Sequence, residues 1–233
     1  LQKYLKLGNF LMLKLYHSPT SPNSRRVWIA LLEKGLEFEL VEVKLDGEQF
    51  QPEFLELNPF HHVPVLVDDG FSVVESLAIL DYLEAKYPKP ALMPTDAKAI
   101  ATVRMLAMVT VNELMAAVAP LLPIFVGLPA VGDPEKIEQA KQKISIVLTF
   151  FERLLDDNPY FGGKHLSLAE VAAGTVVPQL PSLGIFLGDY PKLSAWSERL
   201  RERAAWQKTQ PSPEALEAVK TRIKAAIAQR QTA

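Results

Sequence analysis

Tyr16-His17-Ser18-Pro19-Thr20-Ser21-Pro22-Asn23-Ser24-Arg25-Arg26-Val27 is the stretch on which the reading of the chain turns. Leu13 to His17 alternates apolar and polar residues and ends on turn residues, the pattern of a strand. From Asn23 to Lys34 the apolar residues Val27, Ala30 and Leu31 fall at helical spacing, and Gly35 is placed to close the helix. Between the two, Ser21-Pro22 is a helix start, since serine is a favoured cap and proline a favoured first helical residue. Such a start exposes unpaired N–H groups and about half a positive charge, which suits an anion. Ser21 is then either a cap alone, or a cap that also turns its hydroxyl toward a bound anion.

Glu37 to Val43 reads as a second strand, so strand, helix and strand form a unit with parallel pairing and a right-handed crossover. Leu45 to Leu57 is weakly helical, with Phe50, Phe54 and Leu57 expected on one face. Asn58 to Val63 is a loop. Pro64 to Asp68 is a strand that begins on proline, where a missing N–H is tolerated. Asp69-Gly70 is a hairpin turn, and Phe71 to Val74 the returning strand. Glu75-Ser76 opens a helix that runs to Tyr87 and stops at Pro88. Pro88, Pro90 and Pro94 then mark a linker at about residues 89–97.

Beyond it the pattern is helical: Lys98 to Ala119, Pro134 to Asp156, Leu168 to Val177, Lys192 to Arg203 and Pro213 to Gln229. Ser167-Leu168-Ala169-Glu170 is a capping box, and the helix it opens carries almost no charge, which places it at the centre of a bundle. The expected architecture is a small α/β domain over residues 12–88 and an all-α domain over residues 98–233.

Composition narrows the function. A net charge of −2 leaves no basic footprint for nucleic acid and no polybasic patch for a membrane surface. The chain has no cysteine, so it has no disulfide, no Cys-ligated zinc and no thiol nucleophile of its own. Thiol chemistry here must use a ligand's thiol. Residues 1–11 lack the apolar core and cleavage site of a secretory signal, and are expected to be a loose extension ahead of a start at Met12. Met105 to Val131 is the one membrane candidate. Asn112, Glu113, Pro120 and Pro123 interrupt it, so a buried helix and a cytoplasmic protein are expected.

Four pieces of the chain together resemble the cytosolic glutathione transferases. Ser21-Pro22-Asn23-Ser24-Arg25-Arg26-Val27 is similar to the S-P-x-S-R-R-V pattern of serine-type members, the plant tau class above all. Asn58-Pro59 through Val63-Pro64-Val65-Leu66 is similar to N-P-x-x-x-V-P-x-L. Glu75-Ser76-Leu77-Ala78-Ile79-Leu80-Asp81-Tyr82-Leu83 matches E/Q-S-x-A-I-L-x-Y-L, and the capping box resembles the family's S-L-A-D helix start. The match spans nearly all of Met12 to about Gln210. It implies a thioredoxin-like N-terminal domain, an all-helical C-terminal domain and a homodimer. It further implies glutathione as co-substrate, no bound cofactor, and conjugation of the glutathione thiolate to electrophilic small molecules.

The resemblance assigns roles residue by residue. Ser21 is the thiol-contacting serine, with Ser18 and Ser24 as competitors. Tyr16, the other thiol-stabilising residue type of the family, lies in the strand and is read as packing or pocket wall. Arg25 and Arg26 either add positive potential near the thiolate or are solvated helix residues. Val63, before a cis Pro64, pairs with the cysteinyl backbone of glutathione. Ser76 takes the γ-glutamyl carboxylate and Glu75 the ammonium. His61 and His62 stand where many members carry Lys or Gln for the glycyl carboxylate, and a neutral histidine still donates one hydrogen bond. Adjacent in an extended chain, their rings point apart, and with no third ligand no metal is expected. By analogy the electrophile pocket draws on Met105, Met108, Asn112 and Met115. Zeta-like members, which isomerise maleylacetoacetate, also use a serine, but their Ser-Ser-Cys run is Ser21-Pro22-Asn23 here. A non-catalytic ligand-binding or assembly module is the alternative of a different class.

Overall fold

The computed structural model of the chain describes residues 13–128 and 134–232. The expectations for residues 1–11 and Met12 lie outside these. Strand β1 (Lys14–His17), helix α1 (Pro22–Glu33), strand β2 (Glu39–Glu42), helix α2 (Pro52–Leu57), strands β3 (Val65–Asp68) and β4 (Phe71–Val74) and helix α3 (Ser76–Lys86) follow in order. The sheet runs β2-β1-β3-β4, with β1 parallel to β2 and antiparallel to β3, and β3 antiparallel to β4. This is the thioredoxin-like arrangement, and the Asp69-Gly70 turn takes the positive φ at both residues that a two-residue hairpin needs.

The strand period of two divides the cores. Leu13, Leu15 and Leu66 face α1 and α3 in the main core. Tyr16, Val63 and Val65 face the other way, into a smaller core with Val43 and Phe54. Of the face expected over residues 45–57, Phe54 is buried there, but Phe50 belongs to a short 3₁₀ turn (Glu48–Phe50) and is exposed. Pro52 restarts the chain as α2, which breaks the helical phase.

The second half is all helix. Helix α4 (Ala97–Val109), a π turn (Thr110–Leu114), α5 (Met115–Val118), a 3₁₀ turn (Ala119–Leu121) and α6 (Leu122–Phe125) form one run. By length and composition alone this run would cross a membrane, despite Asn112, Glu113 and the two prolines; its contacts with α7 (Pro134–Leu155) and α8 (Leu168–Ala173) are those of a bundle helix. Every residue of α8 is buried, five of them apolar and the sixth, Glu170, turned back to close the capping box. It ends earlier than Val177, at the C-cap Gly174, whose N–H donates to the Glu170 carbonyl and where a side chain would meet that carbonyl and Leu200. A 3₁₀ segment, Val177–Leu183, follows with Pro178 and Pro181 inside it. Helix α9 (Pro191–Arg201), a separate α10 (Ala204–Lys208) that periodicity does not show, and α11 (Pro213–Thr232) complete the chain.

Helix α1 joins the halves. Lys34, just past its end, is buried, pairs with Glu84 at 2.6 Å, and donates to the Tyr87 and Pro90 carbonyls, which pins the connection after α3. Glu33 accepts a two-pronged pair from Arg203, at 2.9 and 2.6 Å. These ties hold the C-terminal end of α1, while Arg25 in its first turn donates to Thr209 and to the Trp206 carbonyl and holds the other end against the helical half, where the candidate site lies.

Candidate active site

The loop between β1 and α1 is laced by its own serines. Ser21 caps α1 from an extended backbone, and its Oγ accepts the Ser24 N–H at 3.2 Å. The Ser21 N–H donates to the Ser18 carbonyl, and the Ser18 N–H to Ser24 Oγ. Ser18 and Ser24 are buried, whereas Ser21 lines a cavity of about 200 Å3 between the two halves. The Ser21 hydroxyl accepts from within, so its proton is free to be donated outward. No acidic residue sits in the first turn of α1 to offset its positive end. His17 lies buried edge-on to Trp28, and burial lowers it from its ordinary 6.5, so it brings no charge at neutral pH.

Arg25 and Arg26 are not solvated; both are buried and protonated. They leave the helix about 100° apart, as consecutive helical residues must. Arg25 Nε donates to Thr209 Oγ1 and Nη2 to the Trp206 carbonyl, both at 3.1 Å, and the side chain lines the cavity. Arg26 turns to the other side, donating to Ser76 Oγ at 3.3 Å and to Met115 Sδ at 3.4 Å. Burial lowers each guanidinium to about 10, and no ion pair forms at either among the described residues. The loop's positive end is therefore reinforced by two cations with no carboxylate beside them.

The Val63–Pro64 bond is cis, and the Val63 main chain makes no hydrogen bond among the described residues, so its N–H and C=O are available to an extended ligand. Asn58 shapes the turn before it, donating to the His62 carbonyl and accepting from Phe60 N–H. The histidine rings do not point apart. His61 has a φ of 50°, so the chain there is not extended, and the two exposed rings meet edge to face at 5.1 Å, with Phe50 against His61. No group of three potential metal ligands occurs among the described residues.

Glu75 sits at φ 66°, ψ 113°, a backbone conformation rare for a side-chain-bearing residue. It is exposed, and no side chain caps α3, so the first N–H groups of that helix are open to a ligand anion. Ser76, the first residue of α3, is buried, with its Oγ held by Arg26. Arg26 thus links the Ser21 helix to the start of α3.

The cavity wall opposite Ser21 is not the methionine face. Val118 (α5), Leu122 and Phe125 (α6), Leu180 and Leu183 (the 3₁₀ segment) and Leu216 (α11) form it. Met105 and Met108 are 41% and 52% exposed on the outside of α4, and Asn112 is exposed toward α7. Tyr16 packs behind the sheet. Met115 faces inward, onto Arg26. Sequence reasoning does not single out this cavity wall, because its residues are ordinary apolar positions on four separate elements. The prolines of Val177–Leu183, which interrupt the helical pattern, were the one local signal.

Comparison with known proteins identifies the family of the chain. The family profile described as glutathione S-transferase, N-terminal domain matches residues 15–91, and that of the C-terminal domain matches residues 109–204. A glutathione S-transferase of Arabidopsis thaliana is 33% identical over 220 residues, covering 84% of this chain and 95% of its own. Maleylacetoacetate isomerase of Rattus norvegicus is 34% identical over 203 residues, covering 84% and 91%. Among solved structures, a delta-class glutathione transferase of Nilaparvata lugens superposes with a TM-score of 0.77 at 28% identity, covering 91% of this chain and 99% of its own.

Proposed function

This chain belongs to the glutathione S-transferase family and is a glutathione transferase, and on that premise we propose that Ser21 activates the glutathione thiol for attack on electrophilic small molecules in the cavity. The observation that carries the assignment is the Ser21 hydroxyl, which accepts from the Ser24 N–H and donates to no group among the described residues, at an uncompensated helix start. A free cysteine thiol titrates near 8.5; lowering that by two units takes about 2.7 kcal/mol of preference for the thiolate. A hydrogen bond to a charged group supplies ~1.5–3 kcal/mol. The thiol proton leaves to solvent, the thiolate forms the C–S bond, and the leaving group departs with the electron pair of the bond it breaks.

In this reading the open start of α3, with Ser76 and Arg26, holds the γ-glutamyl carboxylate, and Glu75 holds the ammonium. Val63 pairs with the cysteinyl backbone, and His61 or His62 meets the glycyl carboxylate. Retention on immobilised glutathione and conjugation of an aryl halide test the assignment together. Loss of both would return the chain to the class of non-catalytic ligand-binding modules.

A second reading, glutathione-dependent cis–trans isomerisation, is favoured by the likeness to the rat isomerase. It would show as turnover of a cis enone acid without net consumption of glutathione. We further place the protein in the cytoplasm, in detoxification, and as a homodimer. The exposed Phe71 of β4 and Met105 and Met108 of α4, with the exposed Arg104–Asp81 pair between α4 and α3, present an apolar face that suits a second copy of the chain. Sedimentation of the full chain measures this directly.

A further inference from the structure

Resting on the transferase reading, we propose that Arg25 makes the cavity selective for electrophiles that carry a carboxylate. Arg25 is 5% exposed and lines the cavity that Ser21 opens into. Its Nε and Nη2 are engaged by Thr209 and Trp206, which fix the plane of the guanidinium, while Nη1 has no partner among the described residues. None of the described residues that line the cavity is acidic. A cation held in a mostly apolar cavity without a counter-charge is unfavourable, and a bound anion removes that penalty.

The geometry selects the ligand. Ser21, the N-cap, and Arg25, in the first turn of α1, line the same cavity. A thiolate held at Ser21 and a carboxylate held at Arg25 would therefore share one cavity, which an aromatic ring between them would fill. Leu180 and Phe125 supply apolar cover for that ring, and Gln179 and Gln210 are neutral polar groups at the rim. The planar guanidinium suits a carboxylate better than a lysine would, because it presents parallel donors. Arg26 cannot serve in its place, since its donors point to Ser76 and Met115.

The test uses the full chain and a matched pair of substrates: a chlorodinitrobenzoate with the carboxylate para to the chlorine, and the methyl ester of the same acid. Each kcat/KM is divided by its uncatalysed rate with glutathione. The wild type should favour the acid, and Arg25→Met should lower the acid-to-ester ratio by roughly 10- to 100-fold, the worth of one charge-assisted hydrogen bond. Arg25→Lys should fall between them. Because Arg25 also ties α1 to α10, a second measurement needs no variant. With glutathione saturating, benzoate should inhibit the wild type competitively against the ester, and benzamide at least about tenfold more weakly. A wild-type ratio near one, or benzoate no better than benzamide, overturns the proposal. So does an Arg25→Met variant that keeps the ratio while the bound thiol becomes harder to ionise, which would make Arg25 a support for the thiolate alone. Failure of the transferase reading looks different, as neither acid nor ester would be turned over.

Discussion

The two walls of the cleft are built by different means. The wall proposed for the thiol comes from residues 17–76, and nearly every element of it is a backbone device: a capped helix start at Ser21, a cis turn at Val63–Pro64, and an open helix start behind a left-handed Glu75. The wall proposed for the electrophile comes from residues 118–216 and is a surface of apolar side chains on four elements brought together by packing. Backbone devices demand particular residue types at fixed spacing, so the first wall admits little variation. Packing demands only volume and apolarity, so the second can change its substrate while the fold stays.

The largest effect that tests this contrast is on the second wall's foundation. Glu170 is fully buried and accepts from Phe161 N–H at 2.6 Å, Ser167 N–H at 2.8 Å and the Ser167 hydroxyl at 2.7 Å. Burial raises its pKa, and these donors oppose the rise. Glu170→Ala leaves them unpaired in the core and should cost about 3–5 kcal/mol in denaturant unfolding. A loss below about 1 kcal/mol would show that the capping box is not what anchors α8.

Next in size, Val118→Phe places a ring in the 200 Å3 cavity. It should cut kcat/KM for a bulky aryl halide by roughly tenfold or more, while calorimetric glutathione affinity stays within about twofold. Equal damage to both would mean the walls are not separable.

The smallest effect belongs to the first domain. Burial alone would raise Asp68, but hydrogen bonds from Lys86, Tyr87 and Tyr82 outweigh it and hold its pKa below the ordinary 3.8. Its stabilising contribution is then complete above 3.8 and is lost as pH falls through the lower folded value. Asp68→Asn should flatten the acid limb of a stability–pH curve between 3.8 and the lower folded value, and leave the slope at neutral pH unchanged. An unaltered acid limb would mean the Asp68 cluster carries no linked stability.

The same contrast explains what the sequence shows and what it hides. The sheet, its order of elements, Ser21-Pro22, Asp69-Gly70 and the Ser167–Glu170 box are all legible, because each is a local rule about caps, turns or period. The fate of Arg25 and Arg26 is not: adjacent and chemically identical, they diverge because one faces Thr209 and the other Ser76, residues far along the chain. The pocket wall stayed hidden for a related reason. Met105 and Met108 have helical spacing but lie on the outer face of α4, and the wall itself begins only past the π turn at Thr110–Leu114, where the helical phase shifts. His61 also escaped, because its positive φ is not a residue-type signature.

The central claim is that Ser21 favours the thiolate of bound glutathione. Titrating the ultraviolet absorbance of that thiolate in the wild type and in Ser21→Ala tests it without any electrophile. The account expects the bound thiol to ionise about two units below the free value of roughly 8.5 in the wild type, and one to two units higher in the variant, with glutathione still bound. Equal titration of the two proteins, both well below the free thiol, would contradict it and move the activation to the α1 N-terminus and its arginines alone.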